Sequence, residues 1–184
     1  MMLSFFPIAV AFLLLVYEYR NYRLLKKAKF LYEKDGVKYY EIEGDEDNAI
    51  TIKSVVFGKN VIIIGKKNEK ILAHEEGHLK QPYFMYYFFV ISAFLIAYNI
   101  FTIPLLLFMY KLMFLHYERA ADLYAYNKYH VKFESTTARP AKRIDRIRAW
   151  IFDTHPPDWV RAKEEKYYEK KNSLIKLLLN DLLS

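Results

Sequence analysis

Uncharged residues run from Met1 to Tyr17, and a second uncharged run extends over thirty residues from Gln81 to Tyr110. Seventeen residues is the short limit for a spanning helix. No basic residue precedes the first run and no small-x-small site follows it, so it predicts a retained anchor rather than a cleaved signal. Arg20, Arg23, Lys26, Lys27 and Lys29 follow it, which places that end on the cytoplasmic side. The second run predicts a membrane segment or a pair of short ones. Lys111 is the only charge between it and His116.

Between the two runs the pattern changes period. Val37 to Ile42 reads as a strand, and Gly44-Asp45-Glu46-Asp47-Asn48 as an acidic turn-rich loop. Ala49 to Phe57 and Val61 to Gly65 are rich in β-branched residues. The Gly58-Lys59-Asn60 turn between them predicts a hairpin. Beyond the second apolar run, His116 to Tyr126 continues as helix. Ala141 to Phe152 spaces Ile144, Ile147 and Ile151 at helical intervals, with Lys142, Arg143, Arg146 and Arg148 on a basic face. That face suits lipid headgroups or solvent. From Leu174 to Leu183 an amphipathic tail puts Leu174, Leu177, Leu178 and Leu182 on one face, with Lys176 and Asp181 elsewhere. The tail covers the catalytic core or lipid, or it lies across a substrate cleft.

Composition narrows the chemistry. Apolar residues make up 54% and aromatic residues 18% of the 184 positions, which excludes a disordered chain. The absence of cysteine excludes disulfides, thiolate zinc sites, iron–sulfur clusters and a cysteine nucleophile. Any metal must sit on His, Asp or Glu. The net charge of +7 fits nucleic acid or an anionic membrane surface. The positive charges adjoin the apolar runs, so a lipid bilayer is an expected partner. No nucleic acid and no partner protein are expected.

One motif carries chemistry. His74-Glu75-Glu76-Gly77-His78 is an H-E-x-x-H pattern. Residues four apart share a helix face, so both imidazoles can reach one zinc ion at ~2.0–2.1 Å. Glu75 sits ~100° round the helix, where a general base can meet a metal-activated water. The structural alternative is a helix with two surface histidines. A third ligand must come from another element, and Glu118-Arg119-Ala120-Ala121-Asp122 offers two carboxylates on one face. One can bind zinc while the other accepts a hydrogen bond from a ligand imidazole. His116 lies nearly opposite Glu118 and reads as structural. Forty residues separate His78 from Glu118, ~60 Å as one straight helix. The chain must turn back, and Asn99 to Pro104 is the natural place. The two arms are then Tyr83 to Tyr98 and Ile103 to Leu115.

The order of these features resembles the HtpX-like and CAAX-prenyl-protease-like integral membrane zinc peptidases, a branch of the gluzincins. Thr154-His155-Pro156-Pro157 with Arg161 looks like the family's T-H-P-P-x-x-x-R element, and Asn48-Ala49 like the start of its substrate-holding edge strand. The likeness covers about residues 45 to 165. It implies His74, His78 and Glu118 as ligands of one Zn2+, Glu75 as general base and Asp122 as their outer-sphere partner. It further implies a protein or peptide substrate, with His155 on the oxyanion, Arg161 in an orienting role, and Asn48 and Ala49 against substrate main chain. The segment from Asn48 to His74 is short for the family.

The expected fold is therefore an α+β membrane protein, a mainly helical zincin-like catalytic domain with a small β-sheet. Its parts are an N-terminal transmembrane anchor over 1–23, the hairpin and H-E-x-x-H segment over 24–82, a hydrophobic membrane hairpin over 83–115, and the remainder with its amphipathic helix over 116–184. The expected location is the cell membrane, multi-pass, with a cytoplasmic catalytic face. The expected function is zinc metalloendopeptidase. A membrane-anchored zinc sensor or transducer of the same fold is the alternative, and the presence of Glu75 favours the enzyme.

Overall fold

The computed structural model describes residues 6–133 and 137–184. The first five residues of the expected anchor lie outside the described residues. The chain forms two compact units, Met1–Tyr110 and Lys111–Ser184.

The first unit begins with helix α1 (Phe6–Lys27), followed by strands β1 (Lys29–Lys34), β2 (Val37–Ile42), β3 (Asn48–Ser54) and β4 (Gly58–Ile64). Helices α2 (Glu69–Lys80) and α3 (Phe84–Tyr98), a 3-10 turn (Ile100–Thr102) and the start of α4 (Ile103–Tyr129) complete it. The sheet order is β1-β2-β4-β3, with β2 parallel to β4 and the other pairs antiparallel. The β2–β3 connection therefore crosses the end of β4. It passes so close that a Cβ on Gly65 would lie 2.8 Å from the Glu46 carbonyl oxygen, and Gly65 has φ +67°.

The expected hairpin is present as β3 and β4, but its turn falls earlier. Ser54 Oγ accepts from Val56 N at 3.0 Å and Phe57 N at 2.8 Å, so β3 ends at Ser54 and β4 starts at Gly58. β1 was not expected. Its sequence KFLYEK is exposed throughout and alternates no apolar face, so the pattern carries no strand signal. Val37, Ala49, Val61 and Leu79 form a buried cluster joining the sheet to α2. α1 meets α3 through Phe6 on Phe94 and Tyr17 on Tyr86 and Phe89.

The expectation of a membrane fold is overturned. Among the described residues no single helix is long and apolar enough to cross a membrane. In α1 the apolar stretch meets Glu18, Arg20 and Arg23 after Tyr17. α3 has 15 residues, or ~22 Å against a ~30 Å hydrocarbon core. α4 carries Lys111 and then Glu118, Arg119 and Asp122. Among the described residues, neither the anchor segment over 1–23 nor the hairpin segment over 83–115 contains a single helix that is long and apolar enough to cross a membrane. The pair α2 and α3 reaches the required hydropathy only when taken together, across a 54° bend.

The second unit holds the rest of α4, then α5 (Arg143–Phe152), α6 (Asp158–Arg161), α7 (Glu164–Tyr167) and α8 (Leu174–Leu183). Leu115, Trp150, Trp159, Tyr167, Leu174 and Leu177 lie in its core. The expected inner stripe of α5 is not the buried one. Ile144 and Ile151 are exposed, whereas Arg146 and Trp150 are buried. The cause is on α8: Asp181 is buried and accepts from Trp150 Nε1 at 3.0 Å and Trp159 Nε1 at 3.1 Å, while Arg146 donates to the Asp181 carbonyl. The tail thus serves the core of its own unit, with Leu174, Leu177 and Asp181 turned inward.

Candidate metal centre

α2 is fixed at both ends by its sequence. The Asn68 side chain accepts from Lys70 N at 3.0 Å and Ile71 N at 3.4 Å, capping the first turn. Pro82 has no N–H to continue the ladder, and the helix stops at Lys80. Between these ends His74, Glu75, Gly77 and Leu79 are buried. His74 Nε2 and His78 Nε2 lie 3.0 Å apart. Two ligands of a tetrahedral zinc with ~2.0–2.1 Å bonds lie ~3.3 Å apart, so this pair has ligand spacing. Gln81 Oε1 lies 3.0 Å from His78 Nδ1. An acceptor there places the proton on Nδ1 and leaves the Nε2 lone pair for a cation. Gln81 was not singled out in the sequence. Its signal was the i+3 spacing from His78 at the helix end.

His74, His78 and Glu118 are all buried, and their ligand atoms lie within 4.8 Å of one another, so the group could hold a metal ion. The donor set, two imidazoles and a carboxylate, matches that of catalytic zinc sites and leaves room for a fourth ligand. His116 is exposed and is not part of the group.

Below α2, β3 presents Ala49, Thr51 and Lys53 on one face. Thr51 Oγ1 donates to the Glu75 carbonyl at 3.1 Å. Lys53 Nζ donates to the carbonyls of His78 and Pro82 at 3.3 Å each, and also to that of Gln81. Its ammonium lies 4.8 Å from the Tyr83 ring centroid. Burial, with a smaller push from Lys59, lowers its pKa to about 8. Neither Thr51 nor Lys53 was expected to matter. Asn48 opens β3, an edge strand, and its Oδ1 accepts from Ala49 N at 2.8 Å.

In the second unit Glu118 Oε2 lies 3.0 Å from His155 Nε2, and His155 Nδ1 lies 3.0 Å from Thr154 Oγ1. Asp122, one turn beyond Glu118, has no exposed surface. Arg161 grips it bidentately, Nε at 2.9 Å and Nη2 at 2.8 Å, and Tyr167 Oη donates to it at 2.7 Å. Burial and the Asp122 charge hold the Tyr167 hydroxyl well above its ordinary pKa, so it stays a donor. The Arg161 guanidinium stacks 4.0 Å from the Phe133 ring centroid. Arg161 was expected in an orienting role, and here it bridges α6 to Asp122. Nearby, Lys111 Nζ donates to the Asp153 carbonyl. Burial lowers the pKa of Lys111 and raises that of Asp153.

No protein-family model, curated protein or solved structure matches the chain.

Proposed function

We propose that the chain is a zinc-dependent metalloendopeptidase of the gluzincin kind, related to the HtpX-like and CAAX-prenyl-protease-like peptidases. The observation that carries the reading is the buried group His74, His78 and Glu118, with Glu75 directly after the first histidine on α2. Two neutral imidazoles and one carboxylate suit zinc, and three protein ligands leave a position for water or substrate. A zinc ion held there supplies Lewis acidity and a water acidic enough to be deprotonated near neutral pH.

The chain's own groups do the rest. Glu75 takes the proton of the attacking water and delivers it to the departing amine. His155, whose side chain is 40% exposed beside Glu118, donates to the oxygen that gains negative charge. Arg161 acts through Asp122, fixing α6 and with it the Thr154–Pro157 turn. An extended peptide adds to the edge strand β3 from Asn48 and Ala49, displacing the Asn48 side chain that accepts from the Ala49 N–H.

The test is metal analysis of the purified full chain together with proteolysis of casein, with and without a chelator. About one zinc per chain and chelator-sensitive cleavage support the reading. Glu75→Gln should keep the metal and lose cleavage by about a hundredfold or more. Full zinc with no cleavage by the wild type would shift the function to a zinc-binding sensor or transducer. Absence of bound zinc would remove the reading altogether.

A further inference from the structure

The motif helix ends at a proline, and that leaves a gap in its hydrogen bonding. The carbonyl of His78 would be served in a longer helix by the N–H of residue 82, but Pro82 has none. The Gln81 N–H, at 3.2 Å, bends back toward this carbonyl. The remaining donor comes from outside the helix. Lys53 reaches from β3, and its buried ammonium spans the carbonyls of His78, Gln81 and Pro82. A cation at a helix C-terminus is also favoured by the helix dipole. Two residues earlier on the same strand face, Thr51 donates to the carbonyl of Glu75. Glu75 and His78 are three apart, one helical turn, while Thr51 and Lys53 are two apart, one strand repeat. The strand therefore grips the helix at two points, and the gripped residues are the second and last of the H-E-x-x-H motif. Helix rotation about its own axis is what aims Glu75 and His78, and these two bonds oppose it.

We infer that Thr51 and Lys53 are positioning residues for the metal centre: they set the rotational register of α2 on β3 and thereby aim His78 and Glu75. The inference deepens the peptidase reading and rests on it for the role of Glu75. Partners that hydrogen-bond a ligand's own side chain contribute about 10–100-fold to metal affinity, and partners that act through the backbone of His78 belong at the lower end of that range. Misplacement of a reacting group by ~1 Å costs on the order of a hundredfold in rate.

The experiment uses the full chain with Thr51→Val, Thr51→Ser, Lys53→Met and, as control, Lys38→Met at an exposed lysine of β2. Zinc affinity is measured by competition with a chromogenic chelator, and kcat and KM on a casein-derived peptide. Lys53→Met should weaken zinc about tenfold, and both Lys53→Met and Thr51→Val should lower kcat with KM little changed. Thr51→Ser keeps the hydroxyl and should restore kcat. At saturating zinc in a Glu75→Gln background, Thr51→Val should cost nothing further in residual kcat, because Thr51 acts through Glu75. Thr51→Val is nearly isosteric and answers the question if Lys53→Met does not fold. Wild-type zinc affinity and kcat in both variants would overturn the inference while leaving the peptidase reading intact, as would full additivity of Thr51→Val with Glu75→Gln. Zinc affinity that falls in Lys53→Met, in a chain that cleaves nothing, would uphold the aiming of His78 and overturn the peptidase. A wild type that binds no zinc would overturn both.

Discussion

Lys53 in the first unit and two aspartates in the second are buried in opposite ways, although Arg119 of the second unit also donates to backbone carbonyls, those of Tyr167 and Glu169. In the first, Lys53 is held by backbone carbonyls grouped at one helix end. In the second, Asp122 and Asp181 are held by side chains from distant segments: Arg161 and Tyr167 for one, Trp150, Trp159 and Arg139 for the other. A charge held by carbonyls fixes the orientation of one element. A charge held by side chains ties elements together that sequence keeps 22 to 45 residues apart. Removing the first should disturb aim, and removing the second should disturb the fold.

The largest effect is expected at Asp122. Asp122→Ala leaves Arg161, itself buried, without its carboxylate. Breaking a buried pair from one side costs about 3–5 kcal/mol. Calorimetry should show a large drop in the melting temperature. A change below about 1 kcal/mol would mean that the pair behaves as a surface contact and that the contrast between the units is false.

Next comes Asp181. Burial alone would lift its carboxyl, but hydrogen bonds from Trp150, Arg139 and Trp159 outweigh that and hold it below the ordinary carboxylate value. A carboxyl lowered in the folded state contributes stability that is complete above its unfolded pKa of about 3.9 and is lost as pH falls through the lower folded value. The melting temperature should therefore fall more steeply below about pH 4 in the wild type than in Asp181→Asn. At neutral pH the substitution should cost about 2 kcal/mol, since an amide turns a donor toward indole N–H groups. Parallel pH profiles in the two proteins would remove Asp181 as the source of acid sensitivity.

These two carboxylates also mark what the sequence could reveal. The pair His74 and His78 was legible because helical periodicity and metal preference both act on residues four apart, whereas the choice of Glu118 over Asp122, forty residues on, came from the family resemblance; the three form the group that could hold a metal ion. The strands β2, β3 and β4 were legible from β-branched runs. Asp181 was not: reading α8 by hydrophobicity puts an acid outside, and only the two tryptophan N–H groups and Arg139, from other segments, make its burial favourable. The same partner pulled Arg146 inward and left Ile144 and Ile151 exposed on α5. The apolar runs over 1–17 and 81–110 were read by length alone. The structure carries α1 on through the charged residues Glu18, Arg20 and Arg23, breaks the second run at the 99–102 turn and carries α4 on through Lys111, so among the described residues neither run yields a single helix long and apolar enough to span. Thr51 and Lys53 were missed because their value lies in a tertiary contact with backbone, which no side-chain pattern records.

A smaller effect is expected at Tyr167. Tyr167→Phe removes one donor to Asp122 and leaves the bidentate Arg161 in place. The cost should be about 1–2 kcal/mol, that of a hydrogen bond to a charged acceptor. In the Asp122→Ala background the same change should cost much less, a coupling that a double-mutant cycle measures. Equal costs in both backgrounds would show that the hydroxyl serves something other than Asp122.

The smallest stability effect is expected where the charge is most completely held by backbone. Lys53→Met keeps most of the stem but removes the ammonium and its contact with the Tyr83 ring. Desolvating that ammonium opposes folding, and its loss offsets the loss of three carbonyl contacts. The carbonyls themselves remain near a helix end that other donors and water can serve. The net change in unfolding free energy should lie within about 1 kcal/mol of zero, although Lys53 is one of the few buried charges in its unit. Denaturant unfolding measures it, with an unchanged m-value as the sign that the folded state keeps its compactness. A loss of several kcal/mol, of the size expected for Asp122→Ala, would show that Lys53 ties its unit together as the carboxylates do. The difference between aiming an element and joining elements would then disappear.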